Sequence, residues 1–292
     1  MRILILSRGE SVKSTQVLVD AATARGHQVS VHNPLHIELR LDAAGPGLRV
    51  EGKKLADFDV VIPRVATTGG NYAIAVLEQL SMRGAVPLNS ASAVGRSRNS
   101  MRVLQALAVA GVAIPVTVMA RQAAQLRAAV DAVGGYPVMV KLLHSTNRRG
   151  VMVCETRASL ESALDAVLGL GEDLLLQQYV KRARDVARVV VVGEKAVAAV
   201  RRKSNAKAGR AFEKAELTAE LAQVAQAAAA ALALDVCAID LLEAGRSPRA
   251  FEAHATPAIA ELERATGVEI GKAIIAHAEV LLVGRTSNRK AS

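Results

Sequence analysis

The sequence contains no tryptophan and only three tyrosines and three phenylalanines among its 292 residues. Proteins that bind single-stranded nucleic acid usually stack the bases on aromatic rings, and the few aromatic residues here are not interleaved with the basic clusters. The net charge of +10 would attract polyanions of any kind, including nucleotide phosphates, RNA and acidic polypeptides. The shortage of aromatic residues therefore argues against nucleic acid as the partner.

Cysteine and long apolar runs are also scarce. Cys154 and Cys237 are the only cysteines, and they lie in different segments without ligand spacing, so neither a disulfide framework nor a thiolate zinc site is expected. No apolar run approaches the ~20 residues that cross a bilayer. The opening MRILILSRGE is too short for a secretory signal. We therefore expect a globular cytoplasmic protein with two reduced core cysteines and no membrane contact.

The first ninety or so residues predict an α/β unit. Short apolar strands alternate with helical patterns, which is typical of α/β winding; the strands read RILILS, QVSVHN, VVIPRV and VPLN. The segment HIELRLDAAGPGLRVEGKKLADF interrupts this alternation, and its Gly-Pro-Gly predicts an inserted surface hairpin. From Ser92 to Gly111 the pattern becomes helical. A domain boundary is therefore expected near Ser90.

The rest of the chain predicts two further lobes. The strands PVMVKLL, VMVCE and LLLQQYV, with helices near residues 123–133 and 160–168, form a small α+β lobe. Two hairpins follow, one turning at Gly193 and the other running through CAIDLLE and FEAHA, with an Ala-rich helix between them and a final helix near Gly271–Leu282. The tail TSNRKAS is expected to be disordered.

The second hairpin carries two acids, Asp240 and Glu252, each at the end of an apolar run, with His254 two residues after Glu252. Residues two apart on a strand point to the same face, so Glu252 and His254 share one side of the sheet. Two interpretations stay open at this level. The carboxylates share a cation, or this is a site that has lost its chemistry and His254 only packs beside it.

Several motifs together resemble the ATP-grasp ligases of the RimK type. They are, in order, YPVMVKLL, GVMV, LLLQQYV, the Val-rich hairpin, SNAKAG, CAIDLL and FEAHATP, and before them ILILSRG, DVVIPRVAT and VPLNSASAVGRSRNS. The resemblance covers nearly the whole chain. It implies a Rossmann-like pre-ATP-grasp domain at 1–90, an ATP-grasp small lobe at 91–176, a large lobe at 177–285 and a disordered tail at 286–292.

The resemblance also implies a reaction. RimK-type enzymes use ATP to turn a carboxylate into an acyl phosphate and pass it to an amine, and RimK adds glutamate to the C-terminus of a small-subunit ribosomal protein. Because a carboxylate and a triphosphate repel each other, such a site needs divalent cations and basic side chains. The implied partners are an amino acid, for example glutamate, and an acidic peptide or small-molecule carboxylate. A homo-oligomer is implied as well.

The resemblance assigns the metal ligands residue by residue. Asp240, Glu252 and His254 match the Asp, Glu and Asn that hold the cations in the family. Magnesium prefers oxygen ligands, whereas an imidazole suits manganese or another transition metal better than an amide oxygen does. The replacement of Asn by His254 therefore leaves both magnesium and manganese as candidates.

The same resemblance assigns the nucleotide contacts. Arg188 and Asn205 match residues at the reacting phosphate and are the implied catalytic residues; the implied ATP contacts are Lys141, Gln178, Tyr179, Asp185, Lys203, Ser204 and Asn205. Gln178 and Tyr179 correspond to a hinge that holds adenine through backbone groups. Lys207 stands in place of a histidine of the family loop, and Ala208 in place of an arginine.

Four departures from the family pattern bear on activity. Ser100 stands where the family has a second phosphate-binding lysine; STNRRGV replaces a glycine-rich loop, of which only Gly150 remains; Ala258 replaces a glycine; and Ala260 replaces a glutamate. Glycines let backbone N–H groups approach phosphates closely. Arg148 and Arg149 could compensate in part, because guanidinium groups grip phosphate.

Three hypotheses follow. The first is an ATP-dependent carboxylate–amine ligase of RimK type, and the second is an ATP-grasp pseudoenzyme that acts as a binding or regulatory protein. The third is a binder of RNA or acidic protein that uses the basic residues Arg182, Arg184, Lys203, Lys207 and Arg210.

Overall fold

A computed structural model describes residues 1–65, 70–122, 125–143, 150–169, 173–180, 186–202, 212–243 and 247–291. The fold is mixed α/β, as the sequence predicts, with one parallel sheet followed by antiparallel sheets in the second half of the chain.

The N-terminal unit is built on a parallel sheet with the strand order β2–β1–β6–β7. Its strands are β1 (Arg2–Leu6), β2 (Gln28–His32), β6 (Val60–Pro63) and β7 (Val86–Pro87), and its helices are α1 (Lys13–Thr23) and α2 (Gly70–Met82). The central strands β1 and β6 are buried almost along their whole length. Continuous apolar runs are typical of parallel strands that are covered on both faces.

The inserted segment forms the predicted hairpin, with one additional short strand. Its strands are β3 (Ile37–Asp42), β4 (Gly45–Val50) and β5 (Lys53–Lys54). Gln79 of α2 donates from its amide to the carbonyls of Arg40 and Gly47, at 3.1 and 2.6 Å. The insert is therefore attached to α2 through partly buried hydrogen bonds.

Two short helices connect the N-terminal unit to the rest of the chain. The sequence predicts one helical stretch from Ser92 to Gly111, but the structure divides it into α3 (Ala91–Ser97) and α4 (Ser100–Val109). Asn99 lies between them, and its side chain accepts a hydrogen bond from the backbone N–H of Arg102. An Asn in this position caps a new helix start, which explains the break.

The small lobe is an antiparallel sheet with the strand order β10–β9–β11–β8, covered by two helices. Its elements are β8 (Thr117–Met119), α5 (Leu126–Ala132), β9 (Val138–Leu142), β10 (Val151–Cys154), α6 (Arg157–Gly169) and β11 (Leu174–Gln178). Strand β11 continues two residues past the lobe boundary predicted at 176. Its residues pair with β9 through Gln178, so the whole strand belongs to the small lobe.

The large lobe is a five-stranded antiparallel sheet with the order β14–β13–β12–β15–β16. Its elements are β12 (Val186–Val192), β13 (Lys195–Arg202), β14 (Phe212–Lys214), α7 (Ala219–Leu232), β15 (Val236–Leu242), β16 (Arg249–His254), α8 (Ile259–Thr266) and α9 (Ile270–Ala291). Both predicted hairpins are present. The backbone of α9 continues to Ala291, into the segment 286–292 for which the sequence predicts a disordered tail.

Buried contacts join the N-terminal unit to the large lobe. Asn89 has a left-handed backbone with φ of 75°. Its amide donates to the carbonyls of Val236 and Ala255, and its side-chain oxygen accepts from the backbone N–H of Val236, all within 3.0 Å. The two largest apolar clusters both contain residues of the N-terminal sheet and of the large-lobe sheet. The large-lobe sheet is therefore held directly against the N-terminal unit.

None of the helices among the described residues combines the length and the apolar character needed to span a bilayer.

Candidate active site

The candidate site lies on one face of the large-lobe sheet, where three neighbouring strands meet in register. Arg188 on β12 pairs directly with Asp240 on β15, and Asp240 pairs directly with Glu252 on β16. Residues that are directly opposite on adjacent strands point to the same face. The alternating patterns of three separate segments therefore bring one arginine and two acids side by side.

Arg188 and Asp240 form a buried, bidentate ion pair. Nε of Arg188 donates to one carboxylate oxygen at 2.6 Å and Nη2 to the other at 2.7 Å. Burial by itself raises the pKa of the Asp240 carboxyl, but Arg188 and then His254 outweigh it, so that this pKa lies far below its usual value. Burial lowers the pKa of Arg188, and Asp240 more than restores it. Both groups are therefore charged at neutral pH.

His254 completes a cluster of possible metal ligands. One ligand atom from each of Asp240, Glu252 and His254 lies within 4.8 Å of the other two. Oxygen ligands bind calcium or magnesium at about 2.0–2.6 Å, so ligands on opposite sides of one cation are about 4–5 Å apart. Two carboxylates and an imidazole are donors that a divalent cation accepts. The residues present therefore fit a divalent metal.

Two side chains approach Nε2 of His254. Nη2 of Arg188 lies 2.8 Å from this atom, and Oδ2 of Asp240 lies 3.2 Å from it. A guanidinium N–H only donates and a carboxylate oxygen only accepts, so Nε2 would be the acceptor in the first contact and the donor in the second. A neutral imidazole binds a metal through a ring-nitrogen lone pair. A cation bound at Nε2 would therefore displace both contacts.

Lys141 reaches this cluster from the small lobe. It lies on β9 and is 7% exposed, and its Nζ is 4.6 Å from the centre of the Phe251 ring. Burial lowers the pKa of the Lys141 ammonium, while Glu252 and Asp240 oppose this shift. Lys141, which is predicted to contact phosphates, therefore lies close enough to Glu252 and Asp240 to interact with them electrostatically.

A β-bulge places Phe251 in this position. The pairing of β15 with β16 slips by one residue between Asp240 and Leu241, since Asp240 pairs with Glu252 whereas Leu241 pairs with Ala250. Phe251 is the extra residue between them. Bulges often re-aim side chains next to active sites, and this one turns the Phe251 ring towards Lys141.

The predicted adenine hinge, Gln178 and Tyr179, follows directly from the end of β11. The N–H of Gln178 donates to the carbonyl of Val116 at 2.8 Å, and its side-chain oxygen accepts from Arg249 at 2.8 Å. The carbonyl of Gln178 is thus the backbone group of this residue that is left for an adenine edge. Tyr179 is partly exposed.

The departures from the family pattern have different structural consequences. Ser100 begins α4 and lines a cavity next to the cluster, so the missing lysine side chain would have pointed into this region. Ala258 has φ of −77°, which any residue adopts, so the expected loss of backbone freedom at this position is not a source of strain. Ala260 donates its N–H to Ser14 of α1 at 3.2 Å.

Gly150 shows why one glycine of the loop remains. Its φ is +80°, and a Cβ built on it would lie 2.6 Å from Cδ1 of Leu142. Its carbonyl accepts from the N–H of Leu142 at 2.9 Å. A larger residue would clash with the β9 strand that carries Lys141, so this glycine serves packing.

Several predicted site residues lie outside the described residues: Asp185, Lys203, Ser204 and Asn205 among the implied ATP contacts, and Arg148, Arg149, Arg182, Arg184, Lys207, Ala208 and Arg210 among the basic and loop positions. Asn205, an implied catalytic residue, is one of them. Their assignments stay predictions.

Sequence reasoning missed the cavity that adjoins the cluster. It has a volume of about 560 Å³ and is lined by Glu252 and His254 on one side and by N-terminal residues, including Arg8, Lys13 and Arg64, on the other. One signal was present in the sequence, because Arg8 and Arg64 follow closely after apolar strands. In open parallel α/β sheets, ligands bind beyond the carboxyl ends of the strands.

Comparison with known proteins decides the family. Residues 97–278 match the model of the RimK-like ATP-grasp domain, and residues 1–94 match that of the RimK PreATP-grasp domain. The ribosomal protein bS6--L-glutamate ligase of Escherichia coli O81 (strain ED1a) is 38% identical over 283 residues, covering 94% of this chain and 94% of the relative. The chain belongs to the RimK-type ATP-grasp ligases.

Solved structures share the fold of this RimK-type chain. The RimK domain protein ATP-grasp from Sphaerobacter thermophilus DSM 20745 aligns with a TM-score of 0.74 at 22% identity, over 95% of this chain and 99% of that one. The ATP-grasp ligase PsnB, complexed with minimal precursor, Mg and ADP, aligns with a TM-score of 0.72 at 19% identity, over 95% and 97%. At these identities the likeness shows the common fold.

Membership in the RimK-type ligases confirms the predicted enzyme class. The curated relatives join carbon to nitrogen, and ATP and metal binding are typical of the family. The predicted fold class, a pre-ATP-grasp domain followed by an ATP-grasp domain, is confirmed as well.

Proposed function

We propose that this protein uses ATP to activate a peptide carboxylate as an acyl phosphate and joins it to the amino group of glutamate. The observation that carries the proposal is the convergence of Arg188, Asp240, Glu252 and His254 with Lys141 of the other lobe, next to a cavity of about 560 Å³. The Escherichia coli relative is named for L-glutamate and a ribosomal protein, which supports this choice of amino acid.

The roles of the residues follow from their charges. In the first step, a carboxylate oxygen attacks the terminal phosphorus of ATP, and ADP leaves. Lys141 and Arg188 would reduce the repulsion between the two anions, because both are cationic side chains in a largely buried environment. In the second step, the neutral amine attacks the acyl carbon, phosphate leaves with the electron pair of the broken C–O bond, and the phosphate takes up the proton that the nitrogen loses.

Asp240, Glu252 and His254 would hold divalent cations, and such cations would supply positive charge that offsets the charge of the phosphates. Magnesium is present with ADP in the PsnB complex. We propose that manganese is also accepted here, because the imidazole of His254 suits it better than an amide oxygen does.

One arrangement favours a second candidate, a pseudoenzyme that keeps the fold for binding or regulation. Ser100 contributes no positive charge to the cavity wall, and Arg188 occupies both carboxylate oxygens of Asp240 and the Nε2 of His254. A cation must compete with this arginine. If it cannot, nucleotide turnover fails.

Calorimetric titration separates the two candidates. ATP is titrated with magnesium and then with manganese into the wild type, Glu252→Gln and the control Glu269→Gln, whose carboxylate pairs with Lys272 on the surface of α9. The ligase predicts metal-dependent binding that Glu252→Gln weakens and the control does not. At a ligand concentration about 100-fold above its Kd, binding adds about 2.7 kcal/mol of stability.

Turnover is tested on a peptide that ends in acidic residues. The ligase predicts ADP release and a mass increase of one glutamyl residue, both dependent on Glu252. Metal-dependent ATP binding without either product would favour the pseudoenzyme, and no ATP binding with either metal would contradict both metal and nucleotide assignments.

A further inference from the structure

Arg64 is a largely enclosed cation whose charge is not matched by a carboxylate among the described residues. It follows β6 at the carboxyl end of the parallel sheet and lines the cavity next to Glu252 and His254. Its Nη1 donates to the carbonyl of Pro257 at 2.7 Å, while its Nε is buried and has no partner in the described part of the chain. Burial lowers the pKa of the Arg64 guanidinium to about 10.

The surroundings of Arg64 carry an excess of positive charge. The described lining of the cavity contains five basic residues, Arg8, Lys13, Arg64, Arg98 and Arg264, and two acids, Glu252 and Glu261. Arg98 donates to the carbonyls of Gly70 and Val65. Glu252 belongs to the cluster of possible metal ligands, where its charge would be matched by a bound cation. The part of the cavity towards the N-terminal sheet therefore favours an anion.

The position of this anion relative to the reaction can be read from the walls of the cavity. Lys141 and Arg188, the proposed phosphate contacts, are not among its lining residues, whereas Glu252 and His254 are. Ser100, at the position of the family's phosphate-binding lysine, lines the cavity next to the cluster, and from there the cavity extends towards α1 and β6. A second substrate in this cavity would have one end at the reacting centre and the other near Arg64.

We propose that Arg64 binds a carboxylate of the amino-acid substrate, one that is retained in the product, and that the N-terminal unit thereby selects an acidic amino acid. This inference rests on the proposed ligase function. A guanidinium pairs with a carboxylate through two parallel hydrogen bonds. Such a ligand would satisfy the enclosed charge of Arg64, and its amine could then face the activated carboxylate.

The test compares Arg64→Met and Arg64→Lys with a matched control, Arg285→Met. Arg285 also donates from Nη1 to a backbone carbonyl, that of Ala85 at 3.1 Å, but does not line the cavity. Binding of L-glutamate, L-glutamine and isoglutamine is measured by calorimetry, with and without a non-hydrolysable ATP analogue and magnesium. Initial rates then give KM and kcat for glutamate.

We expect Arg64→Met to weaken glutamate binding and raise its KM by at least about tenfold, because a charged hydrogen-bonded pair is lost, with kcat nearly unchanged. Arg64→Lys should recover part of the loss, and Arg285→Met should behave as the wild type. In the wild type, amidation of the contacted carboxylate should weaken binding to a similar extent. This penalty should disappear in Arg64→Met, since the two changes remove the same interaction.

Three outcomes would overturn the inference: unchanged glutamate affinity in Arg64→Met, an amide penalty that is equal in variant and wild type, or an effect confined to the peptide substrate. Binding of the ATP analogue and the melting temperature show whether each variant is folded. If Arg64→Met does not fold, Arg64→Lys with the amide series carries the same test. If the wild type does not bind the ATP analogue, the proposed function is contradicted. The comparison of glutamate binding to the wild type and to Arg64→Met without nucleotide would still test the role of Arg64.

Discussion

Arg188 holds both carboxylate oxygens of Asp240 from the neighbouring strand, at 2.6 and 2.7 Å, and the side chains are only 11% and 4% exposed. Removing one partner of a buried pair leaves the other charge uncompensated, which costs about 3–5 kcal/mol. We therefore expect Arg188→Gln and Asp240→Asn each to lower the free energy of unfolding by about this amount. The double variant should lose clearly less than the sum.

Chemical denaturation measures these differences. The control is Glu243→Gln, which removes the partner of Arg201 from a more exposed pair on the same sheet and should cost about 1 kcal/mol or less. Equal losses for the Asp240 and Glu243 variants would show that the Arg188–Asp240 pair has no special weight.

The pKa of Asp240 predicts a pH dependence. Burial raises this pKa, but Arg188 and His254 outweigh burial and hold it far below the usual value. A carboxyl with a lowered pKa stabilises the fold above its unfolded value of about 3.9 and loses this contribution as the pH falls towards the folded value. The stability advantage of the wild type over Asp240→Asn should not decrease between about pH 8 and pH 5. A difference that already shrinks between these limits would contradict the lowered pKa.

Lys141 should matter for nucleotide binding more than for stability. Because burial lowers the pKa of its ammonium, the charge of Lys141 lowers the free energy of unfolding of the ligand-free protein. Lys141→Met should therefore melt no lower than the wild type, yet bind ADP with magnesium at least about tenfold more weakly, which is about 1.4 kcal/mol. Lys272→Met, on the surface of α9, is the control. A large drop in melting temperature would instead assign Lys141 a structural role.

His254 should set the metal preference. In the wild type we expect manganese to bind more tightly than magnesium, and His254→Asn to weaken manganese by about tenfold while magnesium binding is kept or improved. The electron paramagnetic resonance signal of free manganese measures this directly, without turnover. Glu252→Gln should weaken both metals. Identical manganese affinity in the wild type and His254→Asn would remove His254 from the ligand set.

Gly150→Ala should destabilise the small lobe by about 1–3 kcal/mol, because a Cβ would meet Leu142 at 2.6 Å in a left-handed backbone. Gly111→Ala is a matched control, since Gly111 also has a positive φ but nothing within 4 Å of its added Cβ. Hydrogen exchange of the β9 amides localises the effect. If both variants lose the same stability, the positive φ alone explains the effect and the contact with Leu142 contributes nothing.

Much of the fold follows from local patterns in the sequence. The alternation of apolar strands and helices predicts the parallel sheet around β1 and β6, and the two hairpins of the large lobe follow from their turns. The structure also brings Asp240, Glu252 and His254 together, as the resemblance to RimK-type ligases implies. The two-residue spacing on β16 alone is enough to put Glu252 and His254 on one face.

Other features depend on contacts between distant segments. The break between α3 and α4 at Asn99 is a capping effect that apolar periodicity does not show. The bulge at Phe251 depends on the pairing of β15 with β16. The role of Arg64 becomes visible only when Pro257 and the second half of the chain fold over it, 193 residues away in sequence.

The side chain of Asn89 links the two domains of the family directly. Residues 1–94 and 97–278 match separate domain models, yet Asn89 binds through three hydrogen bonds to Val236, the first residue of β15, and to Ala255, which follows β16. If the first domain were exchanged between homologues, Asn89 would be transferred without the residues that it binds in the second domain. We therefore expect the two domains to evolve together, so that a substitution at Asn89 is accompanied by changes near Val236 and Ala255.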